Sequence, residues 1–468
     1  MLRVTERVPG GAPSRPRRIA VVGSGVAGLS AAHVLQTACD VTLFEADARL
    51  GGHAHTHTVR DAGRDLRIDT GFIVHNRRTY PTLLRLFDEL GVQTQETEMS
   101  LSVRCESAGL EYAGGKGVVG LVPRLSSLGR PAYLRMLGEV PRFHRMARAL
   151  LDHPAHGDQD EPLGAMLARG GFSAFFLDYF MRPLVAAVWS CDPARALEYP
   201  ARYLFAFLDH HGMLSVTGSP TWRTVTGGSA TYVERLAAGL HRVRTATPVS
   251  RVWEDVDGVL VEHAQGRERF DAAVVATHPH QALRLLSAPT PSQRAVLGAI
   301  PYSPNTAQLH TDESLLPTAA RARASWNYLV PREAPDNVVV TYDLTRLQRL
   351  PQSGPRYLVT LGGQSIIDPN QVIATMEYEH PLYTPESVAA QRRLPEIASD
   401  RLVFAGAYHG WGFHEDGARS GVAAAARLGV HWGPSRAAHG ILCDAEVADA
   451  RRRDVELDDD GRQDPVPA

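Results

Sequence analysis

The sequence predicts a mixed fold, α/β plus α+β: a discontinuous Rossmann-type dinucleotide-binding domain, and a second, substrate domain of helices and antiparallel sheet. Three observations lead there. Residues 18–35 read as an apolar strand, a glycine-rich turn and a helix. Residues 270–277 read as a second apolar strand ending in small residues. Residues 402–430 repeat the order of strand, glycine turn and helix. Between these pieces the pattern changes to long helical stretches and to period-two runs, so the domain is interrupted twice.

The first piece carries the clearest chemistry. The strand Arg18 to Val22 runs into Gly23, Ser24, Gly25, Val26, Ala27 and Gly28, followed by an Ala/Leu-rich helix. In this context Gly23 makes the tight turn, Gly25 lets the backbone approach a pyrophosphate, and Gly28 lets helix and strand pack closely. The helix N-terminus then presents its partial positive charge to the diphosphate. A second strand, Val41 to Phe44, ends in Glu45, about 20 residues on, where a carboxylate accepts ribose hydroxyls. These features serve NAD and FAD alike.

In domain terms, residues 1–17 read as a flexible arm and 18–75 as the first part of the nucleotide domain. Residues 76–224 read as a mainly helical part of the substrate domain, with an amphipathic stretch around Tyr133 to Leu151. Residues 225–295 return to the nucleotide domain, 296–395 supply substrate-domain strands, and 396–432 complete the nucleotide domain. Residues 444–468, with Arg451 to Arg453 and Asp458 to Asp460, read as a disordered tail.

Composition excludes several classes. A net charge of -2 over 468 residues gives no field for nucleic acid. Cys39, Cys105, Cys191 and Cys443 are far apart, which suits neither a disulfide framework nor a zinc site and points to a reducing cytoplasm. Arg17-Arg18 precedes a strand and a glycine turn, not a signal helix, and no long apolar run predicts a membrane span. Lys116 is the only lysine.

After Glu45 and Ala46 come Arg49-Leu50-Gly51-Gly52-His53 and then Asp69-Thr70-Gly71-Phe72. Here the chain resembles the flavin amine oxidase superfamily, which includes amine oxidases, protoporphyrinogen oxidase and phytoene-type desaturases. The resemblance implies that Arg49, Gly51 and Gly52 hold FAD phosphates, with Asp69 to Phe72 near the flavin. Thr226-Gly227-Gly228-Ser229, the segment around Val249, and the strand ending at Ala276-Thr277 are similar to the family's middle section, which implies a Val249 backbone contact to adenine. Gly406-Ala407 and Phe413-His414-Glu415-Asp416-Gly417, with Gly421 beyond, look like its C-terminal flavin motif, placing a helix N-terminus at the isoalloxazine. Glu415 and Asp416 are expected as partners of the ribityl chain or supports for them. No cysteine lies at the family's covalent-attachment position, so FAD is expected to be held non-covalently.

Within the family, GGHAHT, GFIVHN, WRTVTGG and GFHEDG resemble a bacterial group associated with cyclopropane-fatty-acid-synthase-like methyltransferases. That implies oxidation or desaturation of a hydrophobic acyl substrate and a functional link to such a methyltransferase; the protein is expected in the cytoplasm, with peripheral contact to the inner face of the membrane left open by the sequence. The strand expected to carry the amine oxidases' lysine reads Asn305 to His310 and has none. Aromatics from Phe172 to Phe207 supply core and candidate cavity walls. His310, as a base, with Trp326 and Tyr328, is expected over the isoalloxazine. His53, His55 and His57 alternate, but without a carboxylate or cysteine partner no metal site is expected. Two other readings stand beside the acyl dehydrogenase: an oxidase of a small amine, and a non-redox FAD-binding isomerase or partner protein. The absence of a second GxGxxG argues against a nicotinamide-dependent enzyme.

Overall fold

The computed structural model describes residues 15–153, 161–189, 194–215, 218–332, 339–351 and 354–433. Most of the arm, the whole tail, Cys191 and Cys443 lie outside them.

A five-stranded parallel sheet runs in the order Arg242–Arg244, Asp40–Phe44, Arg18–Val22, Ala272–Val275, Leu402–Phe404. Its central strands are continuous apolar runs because both faces are covered. One face packs on helices Val26–Leu35 and His414–Arg427. The other packs on an antiparallel three-stranded meander, Val249–Asp255, Gly258–His263 and Gly266–Phe270. The sheet therefore draws strands from three distant stretches of chain.

The second domain is built on a seven-stranded sheet in the order Val372–Pro381, Tyr302–His310, Leu358–Leu361, Val339–Asp343, Trp326–Val330, Leu101–Cys105, Leu110–Gly114. All pairs are antiparallel except Trp326–Val330 with Leu101–Cys105. Residues 76–224 are mostly helical, as expected, but they also contribute two strands of this sheet, Leu101–Cys105 and Leu110–Gly114, which were not expected from the sequence. Val103, Cys105, Leu110 and Tyr112 alternate toward the core, and only pairing with a strand more than 200 residues away makes that alternation pay off against a helical neighbourhood. Short strands at Thr94–Glu96 and Trp222–Val225 also fall in this region.

The helix Pro131–Asp152 matches the amphipathic stretch. Tyr133, Met136, Phe143 and Ala147 face the core at three- and four-residue spacing, while Leu134, Arg135, Arg145 and Arg148 face outward. Among the described residues no helix is long and apolar enough to cross a membrane.

Candidate functional site

The glycine turn behaves as its spacing demands. Gly23 has φ +100°, and a Cβ there would lie 2.8 Å from the Ala276 carbonyl oxygen. A Cβ on Gly28 would lie 1.9 Å from the Gly23 carbonyl oxygen. Gly25 differs: no protein atom lies within 4 Å of where its Cβ would be, so the space above it is open for a ligand.

That space is part of a cavity of about 960 Å³, at the upper end of the roughly 300–1,000 Å³ typical of small-molecule and cofactor sites. Gly23, Ser24, Gly25, Val26, Ala27, Glu45, Ala46, Arg49, Gly52 and His53 line it from the first stretch, followed by Thr70, Gly71 and Phe72. Val249, Ala276 and Thr277 line it from the middle stretch, and Gly406, Ala407, Phe413 and His414 from the last. Three separated pieces of sequence thus meet around one space.

Hydrogen bonds fix the loop. Glu45 accepts from Ser24 N at 2.8 Å, Ser24 Oγ at 2.5 Å and Asp47 N at 2.9 Å. Oε2 takes both Ser24 donors, while Oε1, which accepts from Asp47 N, keeps a lone pair for a further donor. Arg49 donates to the Gly52 carbonyl at 2.7 Å, bracing the glycine pair against the first loop. Ser24 O accepts from Gly51 N at 3.1 Å.

Seven expected cofactor residues do not line the cavity: Gly28, Gly51, Asp69, Glu415, Asp416, Gly417 and Gly421. They serve the packing and hydrogen bonding around it instead. Asp69 is fully buried and accepts from Ser229 N and Oγ, Thr56 Oγ1 and Gln348 Nε2, tying three stretches of chain together. Burial pushes its carboxyl up to about 6. Gly417 and Gly421 face helix Val26–Leu35; a Cβ on Gly421 would lie 2.1 Å from the Ala27 carbonyl oxygen. Asp416 accepts from Phe413 N and caps its own helix. Glu415 accepts from Thr82 N and Leu83 N, both at 2.9 Å, at the start of helix Pro81–Leu90. The helix's own flanking residue, Tyr80, makes no such bond. Glu415→Ala is therefore expected to cost about 1–2 kcal/mol of stability, read as a lower urea midpoint with the flavin absorbance retained.

The catalytic expectations need a larger correction. His310 is fully buried and bonded to Thr360 Oγ1 at 2.6 Å, and Tyr328 is packed in the second domain's core; neither lines the cavity. Both sit on strands, and the side of the sheet they face is set by pairing partners that their own sequence does not reveal. Trp326 does line the cavity, with its indole Nε1 buried and without a partner.

Other cavity residues carry no sequence motif. Tyr378, Glu379 and His380 come from strand Val372–Pro381, and His278 and His280 follow the small-residue turn at Ala276-Thr277. The ring of His53 lies 5.0 Å from Tyr378 and 5.8 Å from His278, while His55 and His57 stack on each other at 4.2 Å. The three alternating histidines thus do not converge. His278, His280 and Glu379 do: their candidate ligand atoms lie within 4.8 Å of one another, and His278 Nδ1 is 2.8 Å from the Glu379 carboxylate.

Away from the glycine loop, the wall is aromatic and apolar. Trp189, Phe207, Trp411, Phe413 and His211 are in mutual ring contact, with Trp222 against His211 and Met213 alongside. Phe72 stacks on His414 at 3.8 Å. Burial lowers His414 to about 3 and His211 to about 4, so both are neutral near pH 7. The buried, unpartnered Nε2 atoms of His53 and His414 and the indole nitrogens of Trp326 and Trp411 leave polar groups for a cavity ligand to satisfy. Open space over Gly25, a cationic brace at Arg49 and these orphaned atoms fit a bound dinucleotide.

Residues 26–353 match the family described as flavin containing amine oxidoreductase. An L-amino-acid oxidase of Crotalus adamanteus is 49% identical over 51 residues, which are 11% of this chain and 10% of that protein. The match thus spans about a tenth of that relative's length. Two solved structures share the fold. Cyclohexylamine oxidase from Brevibacterium oxydans has a TM-score of 0.65 at 18% identity, covering 88% of this chain and 98% of its own. A CLA-producing fatty acid isomerase from P. acnes has a TM-score of 0.65 at 17% identity, with the same coverages.

Proposed function

The chain belongs to the family of flavin containing amine oxidoreductases and its cofactor is FAD; from that premise we propose that it dehydrogenates a hydrophobic substrate, the acyl chain of a lipid. The observation that carries this reading is the aromatic wall of the cavity, Trp189, Phe207, Trp222, Trp411 and Phe413, joined by Met213. It offers an acyl chain apolar contact and exclusion of water, with no charged group in that arc to hold an ammonium.

The missing lysine points the same way. Lys116, the chain's only lysine, donates to the Arg323 carbonyl and does not line the cavity. Strand Tyr302–His310 presents a buried Ala307 at its centre. The shared fold leaves the choice of substrate open, since one similar structure is an amine oxidase and another a fatty acid isomerase.

Bound FAD supplies the hydride acceptor. The residues of this chain do the rest. The glycine loop and Arg49 would hold the diphosphate, Glu45 would receive the ribose, and Val249 would border the adenine. The aromatic wall keeps water out and orients a C–H bond, and neutral His53 and His414 offer hydrogen bonds without adding charge. In cells the substrate is a membrane-borne acyl chain modified by a methyltransferase of the cyclopropane-forming kind.

Anaerobic titration of the purified holoprotein tests this. Phospholipids bearing methylated or cyclopropane acyl chains are expected to bleach the visible flavin band, and amines to leave it unchanged. Bleaching by amines alone transfers the assignment to the amine oxidase reading. Firmly held FAD that no lipid or amine reduces supports the non-redox one.

A further inference from the structure

Five of the eight exposed large hydrophobic side chains among the described residues fall within a single stretch of seventeen: Val118, Val119, Leu125, Leu128 and Leu134. Val118 is 76% exposed and Leu125 84%. They sit on three consecutive elements, helix Gly117–Leu121, the 3-10 turn Leu125–Gly129 and the start of helix Pro131–Asp152. These elements are joined, because Tyr133 OH donates to the Leu121 carbonyl at 2.6 Å and Arg130 N, at the cap of the helix, to the Ser127 carbonyl of the turn at 3.4 Å. Scattered exposed hydrophobics are ordinary; a run of them on one surface marks a contact site.

The stretch of sequence that carries these side chains has formal charge of one sign. Residues 112–138 contain Lys116, Arg124, Arg130 and Arg135 and no Asp or Glu. Arg142, Arg145 and Arg148 continue the cationic run along the helix, where the sole acid before Asp152, Glu139, is buried and bonded to Ser173. Arg124 pairs with Glu111 at 3.5 Å and Arg135 with Glu139 at 3.3 Å, but these acids are nearly covered, with side-chain exposures of 11% and 7%, while the arginines remain 56% and 64% exposed. The nearly neutral chain thus carries a local cationic surface that its net charge conceals.

We propose that residues 117–135 dock this protein on an anionic phospholipid bilayer, with Val118, Val119, Leu125 and Leu128 entering the interface and the arginines meeting lipid phosphates. Apolar tips ringed by arginine match the two-part attraction of interfacial segments, burial of apolar side chains plus attraction to anionic headgroups. A protein partner buries an apolar centre within a polar rim of both signs, whereas here the acids that pair with the rim arginines, Glu111 and Glu139, lie nearly covered beneath them. Leu121, at the base of the surface, packs on the same apolar cluster as Trp189, Phe207 and Phe413 of the cavity wall. The surface deepens the acyl-lipid reading by naming where the lipid is met, but its test is independent of turnover.

The test is co-sedimentation of holoprotein with vesicles of phosphatidylcholine alone or mixed equally with phosphatidylglycerol. Binding is expected to the mixed vesicles, to weaken at high salt, and to fall at least about tenfold for phosphatidylcholine alone. The triple variant Val118→Ser, Leu125→Ser, Leu128→Ser is expected to lose at least about tenfold in affinity, with an unchanged flavin spectrum showing that it folds. The proposal is overturned if wild type ignores phosphatidylglycerol vesicles or the triple variant binds as well as wild type. A concentration-dependent dimer, seen by light scattering and abolished by the triple variant without vesicle binding, assigns the surface to a second copy of the chain. Vesicle binding with no flavin bleaching by lipid upholds this surface and removes the acyl dehydrogenation; bleaching without vesicle binding does the reverse.

Discussion

Gly28→Ala is expected to purify without yellow colour and to unfold at a clearly lower temperature, whereas Gly25→Ala loses the flavin and keeps its stability. The two glycines lie three residues apart in one turn, yet they answer to different neighbours. At Gly28 the added methyl would sit 1.9 Å from the Gly23 carbonyl oxygen. Backbone cannot rotate out of the way as a side chain can, so the loop and helix Val26–Leu35 must separate. Overpacking of this kind costs about 1–3 kcal/mol or more, and the displaced loop no longer cradles the diphosphate. At Gly25 the methyl meets no protein atom within 4 Å and the backbone is extended, with φ -62°. Its obstruction falls on the ligand. FAD affinity is expected to drop at least about tenfold, the equivalent of about 1.4 kcal/mol, while the melting temperature of the apoprotein stays that of wild type. Flavin content by absorbance and unfolding of the apoproteins separate the two. Equal loss of apoprotein stability in both variants overturns the distinction.

The second large effect is a loss of stability between pH 6.5 and 4. His75 is fully buried among Phe72, Tyr80 and Phe87, with neither ring nitrogen partnered; His310 is fully buried in the seven-stranded sheet. Burial lowers His75, His310 and His409 from 6.5 to about 4. None of the three lines the cavity, so bound FAD leaves their surroundings unchanged. As pH falls below 6.5 the unfolded chain takes up protons that the fold refuses until about pH 4, and stability drops across that window. Asp69 and Asp416 oppose this. Burial raises both from 3.8 to about 6, so the fold takes up their protons first, and acidification from 6 to about 4 favours it. Among these five groups the three histidines outweigh the two aspartates, and at about 1.36 kcal/mol for each pKa unit their combined loss is on the order of 4 kcal/mol, with His55, also lowered to about 4, acting in the same direction. Urea midpoints of the holoprotein at pH 7 and pH 4.5 check the sign. A midpoint that rises or stays level on acidification would falsify the account.

What the sequence made legible follows from how local each signal is. The strand, glycine turn and helix at 18–35 are self-contained, and each glycine's role can be read from its spacing because the neighbours it must avoid lie within the same motif. Glu45 was legible for the same reason. The strands Leu101–Cys105 and Leu110–Gly114 were not, although Leu101-Ser-Val-Arg-Cys alternates. Their reward comes from pairing with Trp326–Val330, which nothing near residue 101 announces. His310 and Tyr328 failed differently: the strand of His310 was recognised and that of Tyr328 fell in a region read as strands, but the face each side chain takes depends on register. Glu415 illustrates a third limit. An acid beside a flavin motif invites a ligand role, yet its carboxylate serves the helix starting at Pro81, more than 300 residues upstream. The cationic surface at 116–148 was hidden by averaging, since the whole chain is nearly neutral.

The parallel sheet has a consequence for biosynthesis. Strand Arg18–Val22 emerges from the ribosome early, but Leu402–Phe404, which completes its sheet, and Gly421, which seats against Ala27, come almost 400 residues later. At about 5–20 residues per second the nascent N-terminal segment waits roughly 20 to 80 seconds for its last partners. Throughout that interval its apolar strands have incomplete cover, and a chain truncated before residue 402 never closes the nucleotide loop. Cofactor capture is thereby placed after translation of nearly the whole body, so the yellow colour of the mature protein reports a finished chain as well as a folded one.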